Sequence, residues 1–232
     1  MGRLIRMRYQ ITEGNLPMAN IELQPNEKVY ADTGTMVYMT GNATMYPKAR
    51  GGVLKSLGRM LAQENVFLTE FVTTGGPGLV AVAGPVPGSI IAREISPQRT
   101  LLAQKRAFLA ADDAVVMSLA FQQRISAGLF GGEGFILQKY TGQGTVLLHA
   151  CGEFVEMNLQ PGQNIRVDTG CVVCWDETVR YEITKAGGIK TMLLGGEGLF
   201  LASLTGPGNV VLQSMNIQQL AKALVPFLPN QG

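Results

Sequence analysis

At 232 residues the chain has room for one domain or two, and 46% apolar residues with 29 glycines fit a large core joined by many tight turns. Charged residues make up 16% and the formal net charge is +2, which argues against a strongly electrostatic partner such as duplex nucleic acid. Three cysteines are too few for a disulfide framework and point to a reducing cytoplasm, while no apolar run reaches the roughly 18 residues of a membrane span. The best candidate for such a span, residues 79–92, is interrupted by Gly and Pro, and the opening MGRLIRMRYQI lacks the apolar stretch of a secretion signal.

From the N-terminus, LQPNEKVYADTG at Leu23 reads as a polar turn, a short strand and a second turn at Asp32-Thr33-Gly34. Residues 53–63 place Val53, Leu54, Leu57, Met60 and Leu61 at helical spacing, which predicts a short helix. Strands follow at 66–68 and, across Gly76-Pro77-Gly78, at 79–82. Ile95-Ser96-Pro97 opens a similar run in which Gln104-Lys105-Arg106 stands in the frame of the D-T-G. Strands at 135–137 and 146–148 flank the turn from Gly142 to Gly144. LQPGQNIRVDTG at Leu159 brings the second D-T-G, Asp168-Thr169-Gly170, and strands at 199–201 and 210–212 flank the turn from Gly206 to Gly208. Short apolar runs bounded by Gly and Pro at this spacing predict β-hairpins of a sandwich or barrel, with glycine where a turn needs φ > 0. The last element, residues 217–228, predicts a helix with Ile217, Leu220, Ala221, Leu224 and Leu228 on one face and Pro226 bending or ending it. It is expected to act as a C-terminal lid or an oligomer contact.

These elements recur. GGEGFILQKYTGQGTVLLHA from Gly131 and GGEGLFLASLTGPGNVVLQS from Gly195 align without a gap and are identical at 10 of 20 positions. The LQP segments at Leu23 and Leu159 are identical at 6 of 12. Ile95-Ser96-Pro97 is a third member, set before Leu159 by the same offset that separates Gly131 from Gly195. The step from this motif to the G-x-G turn is equal in the second and third copies, Ile95 to Gly142 and Leu159 to Gly206, and longer in the first, Leu23 to Gly76. The chain therefore reads as three units, 7–87, 88–151 and 152–216, with a tail at 217–232. Units of about 64 residues are small for independent stability, so a single body with a shared core is expected.

An opening like MRYQI, then LQPxExVxADTGxMVYM, ENVFLTEF, GGEGFIL, LxPGQxIxVDTG and GGEGLFLASLTGPGNVVLQS, resembles the AIM-twenty-four (altered inheritance of mitochondria) family over about residues 7–216. The residues before Arg6-Met7 depart from the usual start, leaving Met1 and Met7 as alternative first residues. Bacterial members of that family have no assigned function. The resemblance implies a fold like the trp RNA-binding attenuation protein, a small β-sandwich unit repeated along one chain. It supplies no catalytic residues and no cofactor. The expected fold is thus mainly β: three tandem sandwich units fused into one body, a short helix near 53–63 and a C-terminal helix near 217–228.

Two D-T-G motifs in a duplicated β-rich chain are what an aspartic protease shows, with Asp32 and Asp168 sharing a proton. Three features weigh against that reading. The motif belongs to a threefold repeat with Gln104-Lys105-Arg106 as its middle member, the units are small for such lobes, and the sequences after each motif, TMVYM and CVVCW, do not repeat a serine or threonine followed by a small residue. The structural reading makes Asp32, Gly34, Asp168 and Gly170 turn residues, the Asp accepting backbone N–H bonds and the Gly taking the bend; Gly142 and Gly206 belong to G-x-G turns and lack the context of a phosphate loop. Glu64, Glu133 and Glu197 are the one charged position present in all three units and form a candidate binding set for a cation or a basic group.

His149 is the only histidine, so a multi-histidine metal site within one chain is excluded, and Cys171 and Cys174 would diverge on a strand. No G-x-S-x-G surrounds a serine. No metal and no cofactor are expected. Binding of RNA or a small ligand is the alternative by fold analogy, but Lys28, Lys105, Arg106 and the group Lys48, Arg50, Lys55 and Arg59 fall at different repeat positions and aromatics are only 7%. The expectation is a cytoplasmic, non-enzymatic homo-oligomer, a trimer favoured, working by assembly or with an unidentified protein partner.

Overall fold

A computed structural model describes residues 6–48, 68–123, 135–185 and 200–228. These residues are mainly β, as the composition and turn spacing predict. A first strand, β1 (Arg8–Ile11), precedes six more: β2 (Met18–Leu23), β3 (Lys28–Asp32), β4 (Met36–Met39), β5 (Ala43–Lys48), β6 (Leu68–Thr73) and β7 (Gly78–Ala83). A second sextet comprises β8 (Gly88–Ile95), β9 (Leu101–Gln104), β10 (Phe108–Asp112), β11 (Val115–Gln123), β12 (Phe135–Gly142) and β13 (Gly144–Cys151). The third comprises β14 (Phe154–Leu159), β15 (Asn164–Asp168), β16 (Val172–Asp176), β17 (Arg180–Lys185), β18 (Phe200–Thr205) and β19 (Gly208–Gln213). The helix expected at 53–63 lies outside the described residues.

The strands form four sheets, ordered β1-β2-β7-β4, β5-β6-β3-β10-β13-β8, β11-β12-β9-β16-β19-β14 and β15-β18-β17. Each sextet divides its strands between two neighbouring sheets, and the two six-stranded sheets are built half from one sextet and half from the next. The join is antiparallel in both cases: β10 pairs with β3, and β16 with β9.

The expectation of hairpins at the G-x-G turns is corrected here. β6 and β7, β12 and β13, and β18 and β19 flank those turns but belong to different sheets. The turn carries the chain from one sheet to the sheet packed against it, and the ladder bonds go elsewhere: β6 to β3 and β5, β12 to β9 and β11, β18 to β15 and β17. Gly142, at φ +92°, leaves no room for a side chain, since a Cβ there would lie 2.4 Å from the Ala114 carbonyl oxygen. The first N–H beyond each turn is held by a side chain at or just past the end of a neighbouring strand. Leu79 donates to Thr40 Oγ1 at 3.1 Å, Thr145 to Asp112 Oδ2 at 2.8 Å, and Asn209 to Asp176 Oδ2 at 3.0 Å.

Three apolar clusters fill the spaces between successive sheets. Ile21, Val29, Phe71, Val80 and Val82 centre the first; Leu101, Phe108, Tyr140, Val146 and Leu148 the second; Phe135, Trp175, Leu204 and Val210 the third. The joining strands contribute to two clusters at once, because alternate residues face opposite sides. Tyr30 of β3 enters the second cluster, Leu102 of β9 enters the third, and Leu109 of β10 reaches back into the first. Tyr30 stacks on Phe108 with centroids 5.6 Å apart, and its hydroxyl donates to the Val115 carbonyl at 2.9 Å.

The C-terminal helix, α1 (Ile217–Leu224), is followed by a 3-10 turn, Val225–Phe227, that contains Pro226. Asn216 caps it reciprocally: its side chain accepts the Gln219 N–H at 2.9 Å while its own N–H donates to Gln219 Oε1 at 3.0 Å. Ile217 and Leu220 are half-buried, whereas Ala221, Leu224 and Leu228 are exposed, so only the start of the helix packs on the body.

Candidate functional site: a cavity and the strand edges at β4 and β15

The turns after β3, β9 and β15 face a common cavity of about 280 Å³. Asp32, Gln104 and Gly170 come to it from the three turns, His149 and Cys151 from β13, and Asn216 to Gln218 from the start of α1. Gln104 Nε2 donates to the Thr169 carbonyl at 2.5 Å, and Gln213 Nε2 donates to the Gly170 carbonyl at 2.7 Å, so polar side chains tie these turns together. The His149 ring packs on Gly84, where a Cβ would lie 2.1 Å from the imidazole. Its Nε2 lies 3.0 Å from the Val86 carbonyl, which can only accept, so Nε2 carries the proton.

Burial shifts His149, Asp32 and the nearby thiols toward their neutral forms. Burial lowers the His149 pKa against the opposing bond to Val86, and burial raises the Asp32 carboxyl against the Thr33 N–H and the charge of Lys105. Burial likewise raises the thiols of Cys151 and Cys171, and pushes Cys174 up to about 12. A protonated thiol is a poor nucleophile and a poor metal ligand. Among the described residues no cluster of three or more His, Cys, Asp and Glu is placed to hold a metal ion.

The second feature lies at the ends of the sheet array. The first and last sheets are short, and on the described residues β4 pairs only with β7 and β15 only with β18. Each third strand of a sextet carries a bulge at one position: Val37 in β4, Leu109 in β10 and Val173 in β16. Leu109 is 0% exposed and Val173 1%, each buried in the core of the preceding sextet. Val37 is 51% exposed and Tyr38 beside it 46%.

The family model described as Mitochondrial biogenesis AIM24 matches residues 9–215. The chain belongs to the AIM24 family. It is similar to the uncharacterized protein M6_Spy0233 of Streptococcus pyogenes serotype M6, with 32% identity over 236 residues, covering 98% of this chain and 93% of that protein. The crystal structure of protein SPYM3_0169 from Streptococcus pyogenes is similar at a TM-score of 0.79 and 29% identity, covering 96% of this chain and all of that one.

In this AIM24 chain the two D-T-G segments fold differently. Asp32 ends β3, its Oδ1 accepts the Thr33 N–H at 3.0 Å, and Gly34 takes φ +88°. Asp168 opens a 3-10 turn, its Oδ1 accepting the Gly170 N–H at 2.8 Å, and Asn216 Nδ2 lies 3.5 Å from its other oxygen. Gly170 sits under Asn216, where a Cβ would approach Nδ2 to 2.8 Å. Asp32 answers electrostatically to Lys105, and Asp168 does not enter the causes of its shift. Gly206 lies against the Gln160 carbonyl oxygen, 2.5 Å from where a Cβ would stand. Glu64, Glu133 and Glu197 lie outside the described residues. Asp112 and Asp176, which hold the turn N–H groups, escaped the sequence reading although the offset that relates Gly131 to Gly195 also relates them to each other. That shared offset was the available signal.

Proposed function

We propose that this protein is a non-catalytic assembly module, three fused units spanning 7–87, 88–151 and 152–216 in one body, working in the cytoplasm as a homo-oligomer that serves a protein partner. A trimer is the favoured state. One observation carries the reading: the inner sheets reach six strands by joining two sextets, and the outer sheets stop at β4 and β15 with their outward edges unpaired among the described residues. An unpaired edge is a row of backbone donors and acceptors that natural proteins cover, pair or guard. Two unlike edges on one chain can be satisfied by copies arranged head to tail, which closes into a ring when the rotation fits. His149 spends its Nε2 proton on the Val86 carbonyl and burial raises the Cys151 thiol, which support a non-catalytic role. Multi-angle light scattering at micromolar concentration tests this, with three times the 24.9 kDa chain mass as the expected result and a single-chain mass as the one that sinks it.

Small-ligand binding is a second reading, favoured by the cavity. Native mass spectrometry of the purified protein tests it through a reproducible mass increment that Ala107→Leu, a substitution in the cavity lining, removes. Several cations are already engaged: Lys28 and Lys48 with Glu70, Lys139 with Glu177 and Arg99 with Asp176. This pairing supports leaving nucleic acid out of the proposal.

No helix among the described residues is long and apolar enough to cross a membrane.

A further inference from the structure

We infer that the occupant of the β4 edge is β15 of a second copy of this chain, in the register used twice inside the molecule; this rests on the assembly reading above. At the first internal join Ala110 lies opposite Ala31, Ala111 opposite Tyr30 and Asp112 opposite Val29. At the second, Cys174 lies opposite Ala103, Trp175 opposite Leu102 and Asp176 opposite Leu101. The repeat frame carries this to a third pairing between copies, with Tyr38 opposite Val167, Met39 opposite Arg166 and Thr40 opposite Ile165.

Side-chain chemistry agrees at the positions that matter most. The bulge residue of each later sextet enters the core of the one before it, and Val37 is an apolar residue of the same kind left exposed. On the other edge, Ile165 and Val167 pack only partly into the third cluster, while their counterparts Val29, Ala31, Leu101 and Ala103 are buried. Seating β4 against β15 covers both sets together. Arg166 is the departure, since Tyr30 and Leu102 hold that place at the internal joins. Its guanidinium can reach the carbonyl of Ala43, the counterpart of the Val115 carbonyl that receives the Tyr30 hydroxyl, while its stem lies along Met36 and Met39.

The test uses two full-length chains, one carrying Tyr38→Cys and the other Val167→Cys, co-expressed and oxidised. Each retains the native Cys151, Cys171 and Cys174, so each alone is the control for those thiols. The expected result is a disulfide-linked species of twice the chain mass on a non-reducing gel from the mixture, absent from either chain alone. An oligomer by light scattering with no such link overturns this interface and leaves the assembly reading standing. A single-chain mass for the unmodified protein overturns both. A doubly substituted chain that links within itself overturns the second copy as occupant, because the two edges then close on one chain.

Discussion

The joins inside the array and its two ends are built from matching strands in different surroundings. β10 and β16 are buried along nearly their whole length, whereas both central residues of β4 face solvent. β3 and β9 each carry a large residue into the next core, and β15 carries Arg166 to the surface. The apolar residue at the bulge is common to all three sextets, so its burial is decided by whether a neighbouring sextet is present. The difference teaches that exposure here is a property of position in the array more than of the local sequence.

That comparison can be pressed by substitution. The largest effect is expected at an internal join: Leu109→Ala should lower unfolding free energy by about 2–5 kcal/mol in urea titration, because the site is closed on every side and a cavity remains. An unchanged midpoint would mean that the join does little to hold the sextets together.

Next comes pH. His149 is buried with its pKa lowered, so the folded protein binds fewer protons than the unfolded chain just below the ordinary histidine value. Stability should therefore fall as pH drops below about 6.5, by up to about 1.4 kcal/mol per pH unit, and level off under the folded pKa. Asp32 and Asp112, raised chiefly by burial, act in the opposite sense at lower pH: the folded state holds their protons longer, and stability declines as pH rises through the raised values. His149→Gln should remove the slope near neutrality, and persistence of that slope would assign it elsewhere.

Tyr30→Phe deletes the hydroxyl that reaches Val115 across the first join and is expected to cost about 0.5–1.5 kcal/mol. Smallest is Val37→Ala, within about 0.5 kcal/mol for the single chain in dilute solution, since the side chain is half in water. The same variant should dissociate more readily in light scattering. Val37→Ala as damaging to unfolding as Leu109→Ala would erase the distinction between end and join.

The β class and the C-terminal helix were legible in the chain, because Gly- and Pro-bounded apolar runs and the 217–228 periodicity are local signals. Strand pairing was not. A short G-x-G link looks the same whether its flanking strands bond to each other or step between sheets, and β13 finds its partners in β8 and β10, not in β12. The cavity was half legible: Asp32, Gly170 and Gln104 were singled out in one repeat frame, but their convergence with His149 depends on how sextets stack. The edges at β4 and β15 were hidden because Val37, Leu109 and Val173 read alike. Arg166, in the frame of Tyr30 and Leu102, puts a charged residue where the other two sextets carry large uncharged ones.

The unlikeness of the two ends has a consequence for mixtures. In the proposed head-to-tail assembly, a link with a hook at one end and an eye at the other has a direction, and blocking only the hook leaves the eye active. A chain carrying Val37→Asp would still offer β15 to unmodified neighbours and then present a dead end of its own. Small amounts co-expressed with the normal protein should act as a terminator, breaking far more assemblies than their share of the chains.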